Sequence, residues 1–310
     1  MRGIVGRVAA ALLVLALAAC ATPQAERLVR DPGALPARAE LTTVPFFPQE
    51  LYYCGPAALA MVLAWSGLPV TQEDMVPQVY SPEREGTLRT DIVGAARRNG
   101  RLTVPVTTLA DLLAELAAGH PVLVFQNLAL DWFPQWHFAV AIGYDLEARE
   151  IVLHSGLDER RVTVLDTFEN TWRRGDYWAL VVLPPDTLPA RADAAAVVRA
   201  AAGLERVGRH RDAVDAYGTI LGRWPENFAA GMGLGNAYYG AGNLAAAEMS
   251  FRGVTGRHPM QAAGWNNLAH VLAERGLKAE AIVAARRAVE IGGRDIDTYR
   301  TTLRTIETGQ

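Results

Sequence analysis

The sequence predicts an α+β domain followed by an all-α repeat solenoid. Three observations carry this. Apolar runs with helical periodicity crowd into residues 54–118, short β-branched and aromatic runs fill 121–183, and a step of 34 residues recurs beyond the proline-rich stretch 184–189. The 310 residues are 50% apolar and 20% charged, which is room for two domains with real cores and excludes a disordered or fibrous chain. Thirty Lys and Arg against 33 Asp and Glu give a net charge of −3 with no run of like charge. Nucleic acid is therefore not an expected partner.

At the N-terminus, Arg2 and Arg7 flank the start of an apolar run from Val8 to Leu17, which ends in Leu17-Ala18-Ala19-Cys20. Such a run is too short to cross a bilayer of about 30 Å. The ending resembles a bacterial lipoprotein signal, which implies a signal peptide over 1–19 and acylation of Cys20. Several acyl chains would hold the protein firmly on a membrane. Ala21 is not the Asp that such a resemblance links to inner-membrane retention, so the expected location is the bacterial cell envelope, at the outer membrane and facing the periplasm. Pro23, Pro32 and Pro36 then suggest that residues 20–40 are a lipidated tether. Cys54 becomes the one free thiol of the mature chain, in a compartment where an unpaired cysteine is a liability.

Within 41–185 a helix starts at Cys54-Gly55-Pro56 and stops at Gly67, and further helices fit 71–79, 90–99 and 109–118. Strands fit 121–126, 137–144, 150–154, 161–165 and 177–183, with Asp145–Arg149 as a hairpin turn. Helices first and an antiparallel sheet afterwards is an α+β order. A linker follows over 186–193.

Beyond the linker, Gly208, Gly242 and Gly276 keep the 34-residue step, as do Ala213, Ala247 and Ala281, Tyr217, Phe251 and Ala285, and Pro225, Pro259 and Gly293. Small residues let two antiparallel helices approach, large ones fill the gap, and Gly or Pro ends a helix. The pattern resembles tetratricopeptide repeats: three copies over 194–293, then a capping helix over 294–310. Such repeats imply a protein partner held along the first helix of each pair. In this frame that surface carries Met232, Asn236, Tyr239, Asn266 and His270.

Cys54 at a helix start meets unpaired backbone N–H groups and the positive end of the helix dipole, which favours a thiolate. Gln49, in the extended Phe46-Phe47-Pro48-Gln49 segment, can turn its amide toward the same spot as an oxyanion donor. His137 begins an apolar strand directly after the aromatic loop Trp132-Phe133-Pro134-Gln135-Trp136, whose Trp132, Phe133 and Trp136 are candidates for a substrate-groove wall. The hairpin brings the start of this strand near His154-Ser155-Gly156. Ser155 is the first choice to orient the imidazole, with His154 and Asp158 as lesser substitutes. No C-x-x-C or H-x-x-x-H pair accompanies these residues and no Gly-rich loop follows a strand, so neither a metal nor another cofactor is expected.

Gln49, Cys54-Gly55-Pro56-Ala57-Ala58-Leu59, His137-Phe138-Ala139-Val140 and Gly143-Tyr144-Asp145 together resemble the papain-like cysteine peptidase domain that cuts double-glycine leaders from bacteriocins. The resemblance spans about 41–183. It implies a papain-like fold, a peptide or protein substrate, Cys54 as nucleophile, His137 as base and Gln49 in the oxyanion hole. In that family the third member is an acid in an Asp-Pro step, where this chain has Ser155-Gly156. Two other readings stay open: an adaptor whose peptidase-like domain only binds peptide, and an enzyme that uses the same Cys–His chemistry for acyl transfer or amidation of something other than protein.

Overall fold

The run from Cys54 to Trp65 has no polar face, and a helix apolar all round must lie inside a core. The computed structural model describes residues 22–49 and 52–309, and in it residues 55–63 of this helix are all buried. Cys20 and the signal region lie outside the described residues. Compactness divides the chain into two units. Residues up to 95 with 105–182 form one, and 96–104 with 183 onward form the other.

Through the α+β region the helices are α1 (Pro23–Arg30), α2 (Cys54–Trp65), α3 (Gln72–Val79), α4 (Arg89–Arg98), α5 (Leu109–Ala117) and α6 (Leu165–Arg173). The strands are β1 (Arg38–Glu40), β2 (Tyr80–Ser81), β3 (Gly86–Thr87), β4 (Leu102–Val106), β5 (Val122–Asn127), β6 (Trp136–Asp145), β7 (Glu150–Ser155), β8 (Asp158–Val164) and β9 (Ala179–Leu183). The main sheet runs β4-β9-β5-β6-β7-β8, with β1 against the end of β6. Strand β6 is buried from Phe138 to Tyr144, as befits a strand covered on both faces, and α2 packs on it. Its antiparallel registers set Gln126 opposite His137 and His154 opposite Val140. The β6–β7 turn is the expected hairpin: Asp145 Oδ1 accepts from the Ala148 N–H at 2.9 Å, and Arg149 takes the left-handed conformation at φ 57°.

Residues 22–40 differ from the expected tether. The helix α1 docks on α6 through buried Ala25 and Leu28, and the buried Glu169 carboxylate accepts from the N–H groups of Gln24 (3.1 Å) and Ala25 (2.6 Å). Thr22 Oγ1 donates to Asp166 at 2.5 Å, and β1 joins the sheet. The prolines that suggested a tether sit where they are harmless: Pro23 at the first helical position, and Pro32 and Pro36 in the loop between α1 and β1. Strand β4, the β2–β3 hairpin and α6 were also not expected from the sequence, and β8 starts at Asp158, three residues before the predicted strand.

The second unit holds α7 (Ala194–Arg206), α8 (His210–Arg223), α9 (Phe228–Gly240), α10 (Leu244–Arg257), α11 (Ala262–Glu274), α12 (Lys278–Ile291) and α13 (Ile296–Thr308). Gly208, Gly242 and Gly276 have φ of 77°, 77° and 78°. That left-handed turn ends the first helix of each pair and is why the 34-step carries glycine. The small-against-large rule is equally concrete. A Cβ on Gly233 would lie 2.2 Å from the Tyr217 ring, and one on Gly235 would lie 2.5 Å from Phe251. Asp193, Asn227 and Asn243 cap α7, α9 and α10 by accepting from the N–H three residues on.

Candidate active site

Helix α2 begins where the extended segment before it is pinned to the sheet. The Gln49 N–H donates to the Gly156 carbonyl at 3.0 Å, tying that segment to the turn after β7. Tyr52 has a left-handed backbone at φ 74°, just ahead of the helix. Gly55 is required by what lies over it: a Cβ there would come within 2.4 Å of Thr87 on β3. This packing delivers Cys54 to the start of β6, where the backbone N–H groups of Phe138, Gly55 and Cys54 itself act on its sulfur.

Those donors stabilise a thiolate, as expected from the helix start. Burial acts the other way and wins, pushing the Cys54 thiol above its usual range. His137, the neighbour of Phe138, is shifted in the opposite sense. Burial, helped by the positive charge of Arg161, lowers its pKa to about 4. Burial thus favours the uncharged form of each group, against the thiolate that the helix start alone suggests.

His137 Nε2 lies 2.9 Å from Ser155 Oγ, so the buried serine at the end of β7 occupies the position next to the imidazole. Gln49 is buried, and neither its side-chain nitrogen nor its oxygen has a hydrogen-bond partner among the described residues. A buried amide left open is costly unless a ligand completes it. His154 does not turn toward His137. Its ring is buried beside Phe46, with Nε2 at 3.1 Å from the Val44 carbonyl and Nδ1 against the Glu159 carbonyl, which is a structural role. Asp158 pairs with Arg161.

Trp132, Phe133 and Trp136 are 81%, 72% and 51% exposed. The loop that carries them is nonetheless built. Asn127 Oδ1 accepts from the Ala129 and Gln135 N–H groups at 3.0 and 2.9 Å, Leu130 bridges to Phe133, and Trp136 stacks on Phe125 at 5.2 Å between ring centres. It leads straight into His137. Sequence reasoning missed Thr87, whose buried hydroxyl has no partner among the described residues, and Arg161, the cation that acts on His137. Neither carries a motif; both depend on strand pairings that only the fold provides. Among the described residues no group of three His, Cys, Asp or Glu side chains is placed for a metal.

On the repeats, Asn236 and His270 are exposed, Tyr239 donates to Glu274, and Met232 packs at the edge of the core around Phe251 and Leu268. Asn266 is buried, so it is not the accessible groove residue expected. The adjacent Asn267 instead donates to Asn236 Oδ1 at 3.1 Å. His270 Nε2 lies 3.1 Å from Thr302 Oγ1 on the last helix.

A helix-start cysteine and a strand-start histidine within one unit built on an antiparallel sheet define an α+β domain. The particular kind follows from the sequence: residues 41–179 match the Peptidase_C39 like family, and residues 198–254 and 234–296 match the tetratricopeptide repeat. The chain thus carries a C39-like peptidase domain and tetratricopeptide repeats. Among solved structures it is similar to one described as a C39-like peptidase from Bacillus anthracis, at 18% identity and TM-score 0.41, over 48% of this chain and 98% of that one. It is also similar to the type III secretion translocator chaperone SycD of Yersinia enterocolitica, at 17% identity and TM-score 0.35, over 36% of this chain and 82% of that one. The Sgt2 TPR domain from Aspergillus fumigatus matches at 18% identity and TM-score 0.35, over 37% and 78%. No curated protein matches the chain.

Proposed function

We propose that the protein is a lipid-anchored cysteine peptidase of the bacterial cell envelope, at the outer membrane and facing the periplasm. In this reading Cys54 is the nucleophile, His137 the base, Ser155 the group that orients the imidazole and Gln49 the oxyanion donor. What supports it most is the convergence at the mouth of β6. Backbone N–H groups at the starts of β6 and α2 act on the Cys54 sulfur, His137 bonds Ser155, and Gln49, tied by its N–H to the turn after β7, keeps a buried side-chain amide open.

The chemistry follows from two neutral partners. In this reading His137 carries its proton on Nε2 and donates it toward Ser155 Oγ, which leaves Nδ1 as the base. The thiol proton passes to Nδ1 as the sulfur–carbon bond forms, and the carbonyl π electrons move onto oxygen, where the Gln49 amide and the Cys54 N–H receive the charge. The imidazolium then protonates the departing amine and leaves a thioester. Water, losing its proton to His137, cleaves the thioester and restores the thiol. Trp132, Phe133 and Trp136 would face apolar parts of the peptide, and the repeats would dock a protein partner through Asn236, Tyr239 and His270.

The anchor in this reading is Cys20. With α1 docked from Pro23, only Ala21 and Thr22 separate Cys20 from the helix, three Cα steps that reach at most about 11 Å. The domain is then held against the membrane rather than lifted from it. Cys20→Ser should move the protein from the detergent phase to the aqueous phase; a wild-type protein found wholly in the aqueous phase would sink the anchor.

A second reading, a peptide-binding adaptor, is favoured by the neutral Ser155 beside His137 where the resembled family has an acid, and by burial that raises the thiol and lowers the imidazole. Labelling of the full chain with a thiol-directed electrophile separates the two. The enzyme labels at Cys54 faster than its own denatured chain, and the adaptor does not.

A further inference from the structure

The strand registers put a cation on the serine side of the site. In antiparallel strands, directly paired residues project to the same face. Ser155 pairs with Asp158 and Leu153 with Arg161, the register slipping by one residue between them. The bulge on β8 therefore sets Asp158 and Arg161 on the face that also carries Ser155, whose hydroxyl holds His137. Without the slip, Asp158 would turn to the other face.

The two neighbouring arginines of β8 are held very differently. Arg160 is committed to Glu40 by two bonds of 2.7 and 2.9 Å. Arg161 reaches Asp158 only at 3.8 Å, and the two side chains are 50% and 63% exposed. A loose, exposed pair of this kind contributes little on its own, and its guanidinium stays open to another carboxylate. No carboxylate among the described residues bonds the His137 ring, where the residue in contact is the neutral Ser155.

We propose that Arg161 is a specificity-determining residue that receives a carboxylate of the substrate, so that the site takes acidic peptides: those with Asp, Glu or a free C-terminal carboxylate beside the scissile bond. The proposal rests on the reading of Cys54 and His137 as the reacting pair. The same carboxylate, once bound, brings negative charge to the side of the imidazole where the protein offers only a hydroxyl. It favours the imidazolium that forms during attack and cancels the opposing effect of Arg161 on His137. The substrate would thereby supply charge that the site itself lacks.

Iodoacetate and iodoacetamide test this on the full chain, since they place the same carbon on Cys54 with and without a carboxylate. At pH 7 the ratio of iodoacetate to iodoacetamide rate constants should fall in Arg161→Gln by about 3–10-fold, as expected for removing one charge several ångströms away in a partly solvated site. It should fall further in Arg161→Glu and rise in Asp158→Asn, which releases the guanidinium. A ratio that is the same in wild type and Arg161→Gln overturns the proposal. Failure of the underlying reading looks different: His137→Ala would then leave the absolute rates of both reagents unchanged.

Discussion

Burial acts on the two partners of the Cys54–His137 pair in opposite directions, and both shifts favour the uncharged form. A consequence for stability follows. A histidine held at about 4 takes up its proton in the unfolded chain well before it does so in the folded one. Its contribution is present above the unfolded value and is lost as pH falls from about 6.5 toward 4. Between pH 7 and pH 5 the loss is about 2 kcal/mol, so urea unfolding should show a steeper acid loss for wild type than for His137→Gln; parallel curves would contradict the burial account. The catalytic consequences are graded. Cys54→Ala and His137→Ala should abolish turnover, and Gln49→Ala should cost on the order of 10²–10³ if it meets the oxyanion. Ser155→Ala should cost far less, because one neutral acceptor is replaced by water or by nothing. Ser155→Asp should raise activity, by placing a carboxylate against Nε2 at the distance that the hydroxyl now occupies. A drop in activity for that variant, with the fold intact, would show that Nε2 is not the orienting side.

At the scale of elements, the parts legible in the sequence are those with a strong local signal. The all-apolar α2, the β6–β7 hairpin with its Asp-led turn, and the glycine-ended helix pairs each state their own geometry. The parts that were not legible depend on a partner far along the chain. Strand β4 carries a proline, Pro105, that argues against a strand locally, yet it sits at the end of the sheet order, where a missing N–H costs least. Helix α1 has only two buried side chains, and it is held because Glu169, 144 residues away, caps its N-terminus. Removing that cap should free the segment. Glu169→Ala is expected to be cut by trypsin after Arg27 or Arg30 several-fold faster than wild type, and equal cleavage would mean that α1 is held by other contacts. The same dependence on distant partners applies at Gly55, whose requirement comes from Thr87 on the β2–β3 hairpin. Gly55→Ala should cost about 1–3 kcal/mol through overpacking and should disturb Cys54 labelling; a variant with unchanged melting and labelling would remove Thr87 from the account.

At the scale of the whole molecule, two kinds of sequence signal give two units. The first joins residues distant in the chain through a sheet, and its His137–Ser155 contact needs β6 and β7 in register. The second repeats a local unit, so its stability is shared between neighbouring helix pairs. Residues 190–310 alone should therefore fold as a helical, cooperatively melting fragment, and far-ultraviolet circular dichroism showing a coil would refute this. Loss of partner binding is expected from Asn236→Ala with Asn267→Ala rather than with the buried Asn266. The central claim is that Cys54 and His137 act as one chemical unit, and its most direct test is the pH dependence of Cys54 alkylation by iodoacetamide in the full chain, wild type against His137→Ala. The account predicts a wild-type rate at pH 7 that exceeds the variant's by about 10- to 100-fold, since general-base assistance is worth at least that much. Identical curves, each rising only in the free-cysteine range near 8.5, would contradict it.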